Sequence, residues 1–416
     1  MSKKKLKILM LSDHQCSPSG VGMASYHLIN GLLATGDYSF RCFGGALKHG
    51  NYDVLKISDD FIIKPIDGFG NKELIRVALA SEKPDALFLF TDPRFFSHIF
   101  DAEDEIHQVC PIVYWTIWDN YPTPVFNKVL YQSCDLLNCI SWITYDMIKT
   151  MCPEKTNYIP HALPKNTYHQ LPDDEQKKFK TMLLGKDRED HFVGMWVGRN
   201  AKRKRPNDLL EAWKIFLDKL ELKHGHRKAT LVLHTDALDQ EGPNLFATCE
   251  YLGIINNIFF SKDRLELEQM NVLHNISDFG INISLNEGFG IPTLESMQCG
   301  KPIIAVKTGG ETRQVVDHRD GSHNGIALDI DTKSLVGSQQ VYYIYEDYVS
   351  AENVSNAILQ MYEFGPEKRK ALGQKAKEYA SYEFNYDKMV ADWDRTLKDT
   401  ISNWKSRYKP WICKEL

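Results

Sequence analysis

At 416 residues the chain is about three times a typical domain length, which predicts two domains. Hydrophobic residues make up 43% and charged residues 25%, a composition that supports a core and excludes a disordered, collagen-like or disulfide-scaffold chain. Fifty Lys and Arg against 55 Asp and Glu leave a net charge of −5, so no global positive field draws the chain to nucleic acid or anionic lipid.

The nine cysteines are scattered singly, with no CxxC pair, which suits a reducing compartment and argues against bridges or a zinc site. No run of about 18 or more apolar residues occurs, so no spanning helix is expected. The lysine-rich start is followed by only a short apolar stretch before Ser12 and Asp13, where a signal peptide needs about seven or more apolar residues. A cytoplasmic protein without stable membrane insertion is the expectation.

In chain order, the first half predicts strands at 8–11 (buried over 7–12), 39–43, 86–90, 112–116 and 136–140. A helix over 23–33 carries Tyr26, Leu28, Ile29, Leu32 and Leu33 on one side. From 158 to 190 the composition shifts to Pro160, Pro164 and Pro172, then a run of Asp, Glu and Lys, and 166–190 reads as a linker. The alternation then restarts with a strand at 192–197, a helix at 207–220 and strands at 230–234, 258–260, 279–283 and 302–306. The tail from 351 to 404 is helical. Such alternation predicts an α/β protein of two Rossmann-like doubly wound domains, 1–165 and 191–385, facing each other across a cleft. The segment 386–416 is expected as a helix returning to the first domain. Ligands of such sheets bind beyond the carboxyl ends of the strands, so three strand-to-helix turns carry the functional argument.

The first turn is Ser19-Gly20-Val21-Gly22. Its glycines allow close backbone approach to a ligand at a helix N-terminus, or serve a tight turn that needs positive φ. The third glycine of a dinucleotide fingerprint is absent. The second turn runs from Gly198 to Pro206, and five of its residues from 199 to 205 are Lys or Arg. At a strand-to-helix turn, Arg199 and Lys204 can compensate a diphosphate, with the remaining cations at the surface. The third is Asn286-Glu287-Gly288-Phe289-Gly290-Ile291-Pro292-Thr293-Leu294-Glu295. Pro292 suits the first helical position and Gly300 the residue past the helix end. That puts Glu295 in the first helical turn, as a dipole partner or as a carboxylate for the two hydroxyls of a ribose.

Taken together, the segment from Ser284 to Gly310 resembles the donor-site signature of retaining GT-B glycosyltransferases of the large sucrose-synthase-like group. Gly198-Arg199-x4-Lys204 resembles the G-R-x4-K signature of the same family, Gly20-Val21-Gly22 its N-terminal glycine loop, and Phe384-Asn385-Tyr386 the segment opening its final helix. The resemblance implies a retaining hexosyl- or pentosyltransferase using a UDP- or GDP-sugar, with no metal and no further cofactor. Arg199 and Lys204 would hold the diphosphate and Glu295 the ribose. Glu287, with the backbone of Gly288, Phe289 and Gly290, would contact sugar hydroxyls, and Gly20 and Gly22 would close over the phosphates. Family behaviour also implies that the leaving phosphate takes the acceptor proton.

Two departures stand out. Trp118 occupies the position where the family often has His, leaving Asp119 or Asn120 to take a sugar hydroxyl, and Arg313 stands where an acidic residue is usual. Thr235 and Asp236 end a strand and are candidates for nucleotide contact, while Asp92-Pro93-Arg94 is a candidate acceptor contact. Asp329-Ile330-Asp331 imitates a metal motif but reads as a solvated turn, and His161 reads as structural. The acceptor is a glycan, a lipid-linked intermediate or a small molecule, or alternatively a hydroxylated base of DNA, with Lys202–Arg205 and the N-terminal lysines on its backbone. A catalytically silent GT-B scaffold that binds a sugar nucleotide is the alternative of another class.

Overall fold

A computed structural model of the chain describes residues 4–46, 50–261 and 264–410. Cys413, Lys3 and the end of the expected C-terminal helix lie outside the described residues. The chain forms two compact units. One comprises the residues up to Ala162, Gly337–Ile344 and the chain from Tyr386 onward; the other comprises Leu163–Val336 and Tyr345–Asn385.

In the first unit, apolar runs form the strands β1 (Leu6–Asp13), β2 (Tyr38–Gly45), β3 (Leu55–Ser58), β4 (Phe61–Pro65), β5 (Ala86–Thr91), β6 (Ile112–Thr116), β7 (Leu136–Cys139) and β8 (Thr156–Tyr158). They lie in the order β3-β4-β2-β1-β5-β6-β7-β8, parallel except for the β3–β4 pair. Helices cover both faces of such a sheet, so β5 and β6 are buried along their whole length. The helix α1 (Gly20–Ala34) follows β1, and its Ser19 cap accepts a hydrogen bond from the Gly22 amide at 3.0 Å. Strand order reverses between β1 and β5, which makes the ends of these strands the crevice of this unit.

The second sheet contains β9 (Phe192–Val197), β10 (Ala229–His234), β11 (Ile258–Ser261), β12 (Phe279–Asn282), β13 (Ile303–Val306) and β14 (Gly325–Leu328), in the parallel order β11-β10-β9-β12-β13-β14. A hairpin of β15 (Thr332–Val336) and β16 (Ile344–Tyr348) follows, and its connecting residues group with the first unit, interrupting the expected domain 191–385. The reversal here falls between β9 and β12.

The stretch expected as a linker, 166–190, is instead folded into the second unit. It contains α2 (Asp173–Leu184), whose first turn holds Asp173, Asp174 and Glu175 at the positive end of the helix dipole. Asn271 and Asn275 accept the amides of His169 and Leu171 at 2.9 and 2.8 Å. The charged run is therefore the outer face of a surface helix. Further helices of this unit include α3 (Pro206–His224), α4 (Leu267–Ile276), α5 (Ile291–Gln298), α6 (Ala351–Glu363) and α7 (Gly365–Glu383). The side chains of Leu209, Leu210, Trp213, Phe216, Leu217 and Leu220 on α3 are fully buried, a stripe of helical period.

The last helix, α8 (Tyr386–Arg407), belongs to the first unit and presents Met389, Trp393, Leu397 and Trp404 as its buried stripe. A side chain at Gly31 on α1 would meet Val390 at 2.4 Å, so that glycine sets the close approach of α1 and α8. Among the described residues, Cys16 and seven buried cysteines are free thiols, and no helix is long and apolar enough to cross a membrane.

Where α8 ends, Tyr408 stacks on His107 at 3.9 Å. His107 is buried between two acids, with Nε2 at 2.9 Å from Asp135 and Nδ1 at 2.7 Å from Glu103. Burial disfavours its charge, but Asp135 and Glu103 outweigh burial and raise its pKa above the ordinary value. A raised folded-state value adds stability below the unfolded value of about 6.5, and that stability is lost as pH rises through the folded value. Urea unfolding should show the wild type losing stability from about pH 6.5 upward relative to His107→Phe, with the difference between the two shrinking as the imidazolium deprotonates.

Candidate active site

The reversal between β9 and β12 brings the second and third turns together. The Leu285 amide donates to the Arg203 carbonyl at 2.9 Å, a backbone bond that stitches the two loops. Across that seam the Lys204 ammonium donates to the Glu287 carboxylate, and Arg203 lies 3.6 Å from the same carboxylate. Burial favours the neutral form of Glu287, but the charges of Lys204 and Arg203 and a hydrogen bond from Ser284 hold its carboxyl below the ordinary range.

The loop bearing Glu287 is fixed from several sides. Gly290 adopts φ +92 at the cap of α5, and any Cβ there would fall 1.9 Å from Oε1 of Glu311. Gly310 packs so closely that a Cβ would meet the Gly288 carbonyl at 2.5 Å, and its amide donates to the Glu287 carbonyl at 2.8 Å. Phe289 points into the core and meets Phe384 edge-on at 5.2 Å, so its side chain serves packing and anchors the backbone of the 288–290 loop. The first turn of α5 carries no side-chain cap; Pro292 lacks an N–H and the Thr293 amide bonds the Gly290 carbonyl at 3.2 Å, so the helix presents the Ile291 amide and the positive end of its dipole at the switch point.

Glu295 is displaced from its expected place. Helix α5 begins at Ile291 with Pro292 second, so Glu295 falls in the second turn, and the first turn holds no acid. It is only 2% exposed, receives a hydrogen bond from Tyr168 and lies 3.1 Å from His274 Nε2. Burial and the Glu295 carboxylate push the Tyr168 phenol up. A cavity of about 10 Å³ adjoins this group, lined by His274, Asn282, Thr293 and Ser296, with room for one water.

Arg199 is separated from Lys204 by its partners. It forks onto Asp239 at 2.8 Å and reaches Glu241 at 3.0 Å. Arg205 is structural: its Nε donates to Asp208 at 3.0 Å and its Nη2 to the Val349 carbonyl at 2.9 Å. Thr235 is buried at the end of β10, whereas Asp236 is exposed and accepts the Leu238 amide. Arg313, left without a role by sequence, pairs with Glu383 at 2.6 Å. Asp331 accepts the Ser350 amide at 2.8 Å and so anchors the start of α6. No cluster of His, Cys, Asp or Glu among the described residues is placed to hold a metal.

Gly20, Gly22 and Asp119 belong to the first unit. Neither glycine has positive φ; Gly22 is required because a Cβ would collide with Ser17 and the His14 carbonyl at 2.3 and 2.6 Å. Asp119 is half-buried beyond β6, close enough to Asp92 that its charge adds to burial in raising the Asp92 pKa. Trp118 is buried against Phe126 at 5.7 Å. His161 packs edge-on to Trp115, and burial lowers its pKa to about 3, which suits a neutral core residue.

Sequence reasoning missed Arg203, His274, Tyr168, Asn282, Ser284 and Glu311. Arg203 was visible in the cationic run, but nothing separated it from its neighbours; the others acquire a role only through tertiary contact.

The model for glycosyl transferases group 1 matches residues 184–379. The chain is 31% identical over 154 residues to D-inositol 3-phosphate glycosyltransferase of Corynebacterium jeikeium, covering 36% of this chain and 32% of that protein. It is 24% identical to N-acetyl-alpha-D-glucosaminyl L-malate synthase of Bacillus anthracis, covering 52% and 48%. The matches thus span about a third to a half of these curated relatives. HepE of Anabaena, solved in complex with UDP and glucose, superposes with TM-score 0.69 at 18% identity, covering 95% of this chain and 100% of that one. The fold is that of the GT-B glycosyltransferases. The similarity to glycosyl transferases group 1, over residues 184–379, lies in the second unit except for Gly337–Ile344.

Replacing Lys204 by Met strands the Glu287 carboxylate. The depressed Glu287 pKa contributes stability above about pH 4.5, lost as pH falls through the folded value. Lys204→Met should therefore cost about 1–3 kcal/mol at pH 7, and the double variant with Glu287→Gln should recover part of that loss in denaturant titrations.

Proposed function

We propose that the protein is a retaining glycosyltransferase that moves a sugar from a nucleoside-diphosphate sugar to an acceptor hydroxyl. The observation that carries this reading is the Lys204–Glu287 pair, held at the switch point beside the uncapped N-terminus of α5. The similarity to glycosyl transferases group 1 and the likeness to a UDP-binding GT-B structure support it.

The chemistry follows from charge. As the bond between the anomeric carbon and the diphosphate oxygen breaks, negative charge grows on the phosphate oxygens. Lys204, Arg203 and the positive end of the α5 dipole are fixed cations and dipoles suited to that charge. Glu287 accepts from sugar hydroxyls and keeps Lys204 in place. The acceptor oxygen bonds to the anomeric carbon on the face the diphosphate leaves, and its proton passes to the departing phosphate. That route preserves anomeric configuration and needs no protein base. Glu295, sharing His274 and Tyr168, is the carboxylate for the ribose.

Arg199 joins the diphosphate on this reading by leaving Asp239 and Glu241. The alternative acceptor, a DNA base, gains little from the structure, because Arg205 is turned into the second unit and Arg203 towards Asn286 and Glu287.

Thermal unfolding with UDP, GDP and ADP tests the reading. A cognate diphosphate at a hundred times its dissociation constant should add about 2.7 kcal/mol of stability. Asp239→Asn, which releases Arg199 from an exposed pair worth at most about 1 kcal/mol, should tighten that binding about two- to fivefold, while Arg199→Ala should weaken it. No shift with any nucleotide would refute the transferase reading and leave the silent scaffold without its ligand as well.

A further inference from the structure

The GG loop places a second carboxylic acid behind the Glu287 loop. Glu311 is 1% exposed, and its Oε1 accepts from Asn282 Nδ2 at 2.5 Å and from Thr293 Oγ1 at 2.9 Å. Asn282 in turn accepts from the Ser284 hydroxyl at 2.6 Å and from its amide at 3.0 Å. The single proton of the Ser284 hydroxyl is shared between Asn282 and the Glu287 carboxylate, and Glu287 accepts from Lys204. A hydrogen-bonded chain thus runs from Glu311 through Asn282 and Ser284 to the ion pair.

We propose that Glu311 is a positioning residue for the donor site, acting as an uncharged acid that aligns Asn282, Ser284 and Glu287 without adding a second negative charge beside Lys204 and Arg203. This inference rests on the transferase reading above.

Three observations support it. The second carboxyl oxygen, Oε2, is buried with no hydrogen-bond partner, a setting that a carboxylate tolerates far less well than a protonated acid. The charges that act on Glu311 are those of Glu287 and Lys204, already paired with each other. Helix α5 contributes Thr293, which is uncharged, and Arg313 two residues on is turned to Glu383. Burial and then the Glu287 charge push the Glu311 pKa well above the ordinary carboxylic range, against the hydrogen bonds from Thr293 and Asn282. Were Glu311 ionised, two carboxylates would face the cations of the 203–204 turn, and a diphosphate would meet net repulsion. The ligand therefore favours the protonated acid, and its affinity should fall as pH rises through the Glu311 value.

The test is the dissociation constant of UDP, and of GDP in parallel, by calorimetry from pH 6 to pH 9, for wild type, Glu311→Gln, Glu311→Leu and Ser284→Ala. Glu311→Gln keeps the acceptor oxygen and cannot ionise. It should bind at pH 6 within about threefold of wild type, and its affinity should fall less with pH. Glu311→Leu removes the anchor for Asn282 and should weaken binding about tenfold or more at every pH. Ser284→Ala breaks the chain without touching Glu311 and should weaken binding with the wild-type pH slope retained. The role of Glu311 is overturned if Glu311→Gln follows the wild-type slope, if it fails as Glu311→Leu does, or if Glu311→Leu binds as wild type. If wild type binds neither nucleotide, the donor reading falls and this proposal with it, an outcome distinct from the others.

Discussion

Everything at the candidate site depends on keeping a lysine and a glutamate together out of water. Lys204 and Glu287 come from turns separated by more than eighty residues, and an ion pair withdrawn from solvent is worth its desolvation only when the geometry is tightly held. Three backbone bonds hold it: Leu285 to Arg203 between the two loops, Gly310 to Glu287 from the GG loop, and Asp347 to Leu285 from β16. The first requires β9 and β12 to be neighbours and the second β12 and β13, so the strand order of the second sheet is itself part of the site. The glycines follow from the same constraint. Gly290 is needed for its left-handed φ and Gly310 for its contact with the Gly288 carbonyl, and neither position has room for a Cβ.

The elements legible in the sequence are those whose burial leaves a hydrophobic signature. Strands such as β5, β6 and β9 are continuous apolar runs because helices cover both faces of a parallel sheet. The edge strand β3 is exposed at every residue and so carries no such run, and the half-exposed hairpin of β15 and β16 is similarly silent. Helix α2 was read as linker for a related reason: of its residues only Leu184 is buried, leaving almost no apolar stripe to detect. At the site, Lys204 and Glu287 stand out because a local pattern of glycines and charges surrounds each. Asn282, Ser284 and Glu311 do not, because their roles arise from contacts across 29 residues and less, between elements whose pairing only the fold defines. The placement of Glu295 turned on one residue at the helix start, where Ile291 and not Pro292 takes the first position.

The run of cations from 199 to 205 illustrates how uninformative charge counting is without neighbours. Arg205 has left-handed backbone, caps the entry to α3 through Asp208 and the Val349 carbonyl, and lies 5.4 Å from the Tyr348 ring. Lys204 and Arg203 turn to Glu287, while Arg199 turns to Asp239 and Glu241. Lys202 is exposed. Five like charges in seven residues would repel one another if all faced one side. The fold divides them among separate acids, which is how so dense a run is accommodated at a strand-to-helix turn.

That division bears on the proposed reaction. The chain supplies its own carboxylates to the cations that a diphosphate would use, so the site is ordered by internal pairs. A ligand exchanging with these pairs trades one anion for another, and the net gain in binding is smaller than the sum of its contacts with Lys204, Arg203 and Arg199. The exchange is most favourable where charge grows during bond cleavage, because the departing diphosphate carries more negative charge than a carboxylate can. Such an arrangement weakens ground-state binding relative to the transition state, the condition under which binding energy appears as rate. A buried acid that stays neutral beside these pairs serves the same end, since it orients Glu287 without adding charge that the diphosphate would have to overcome.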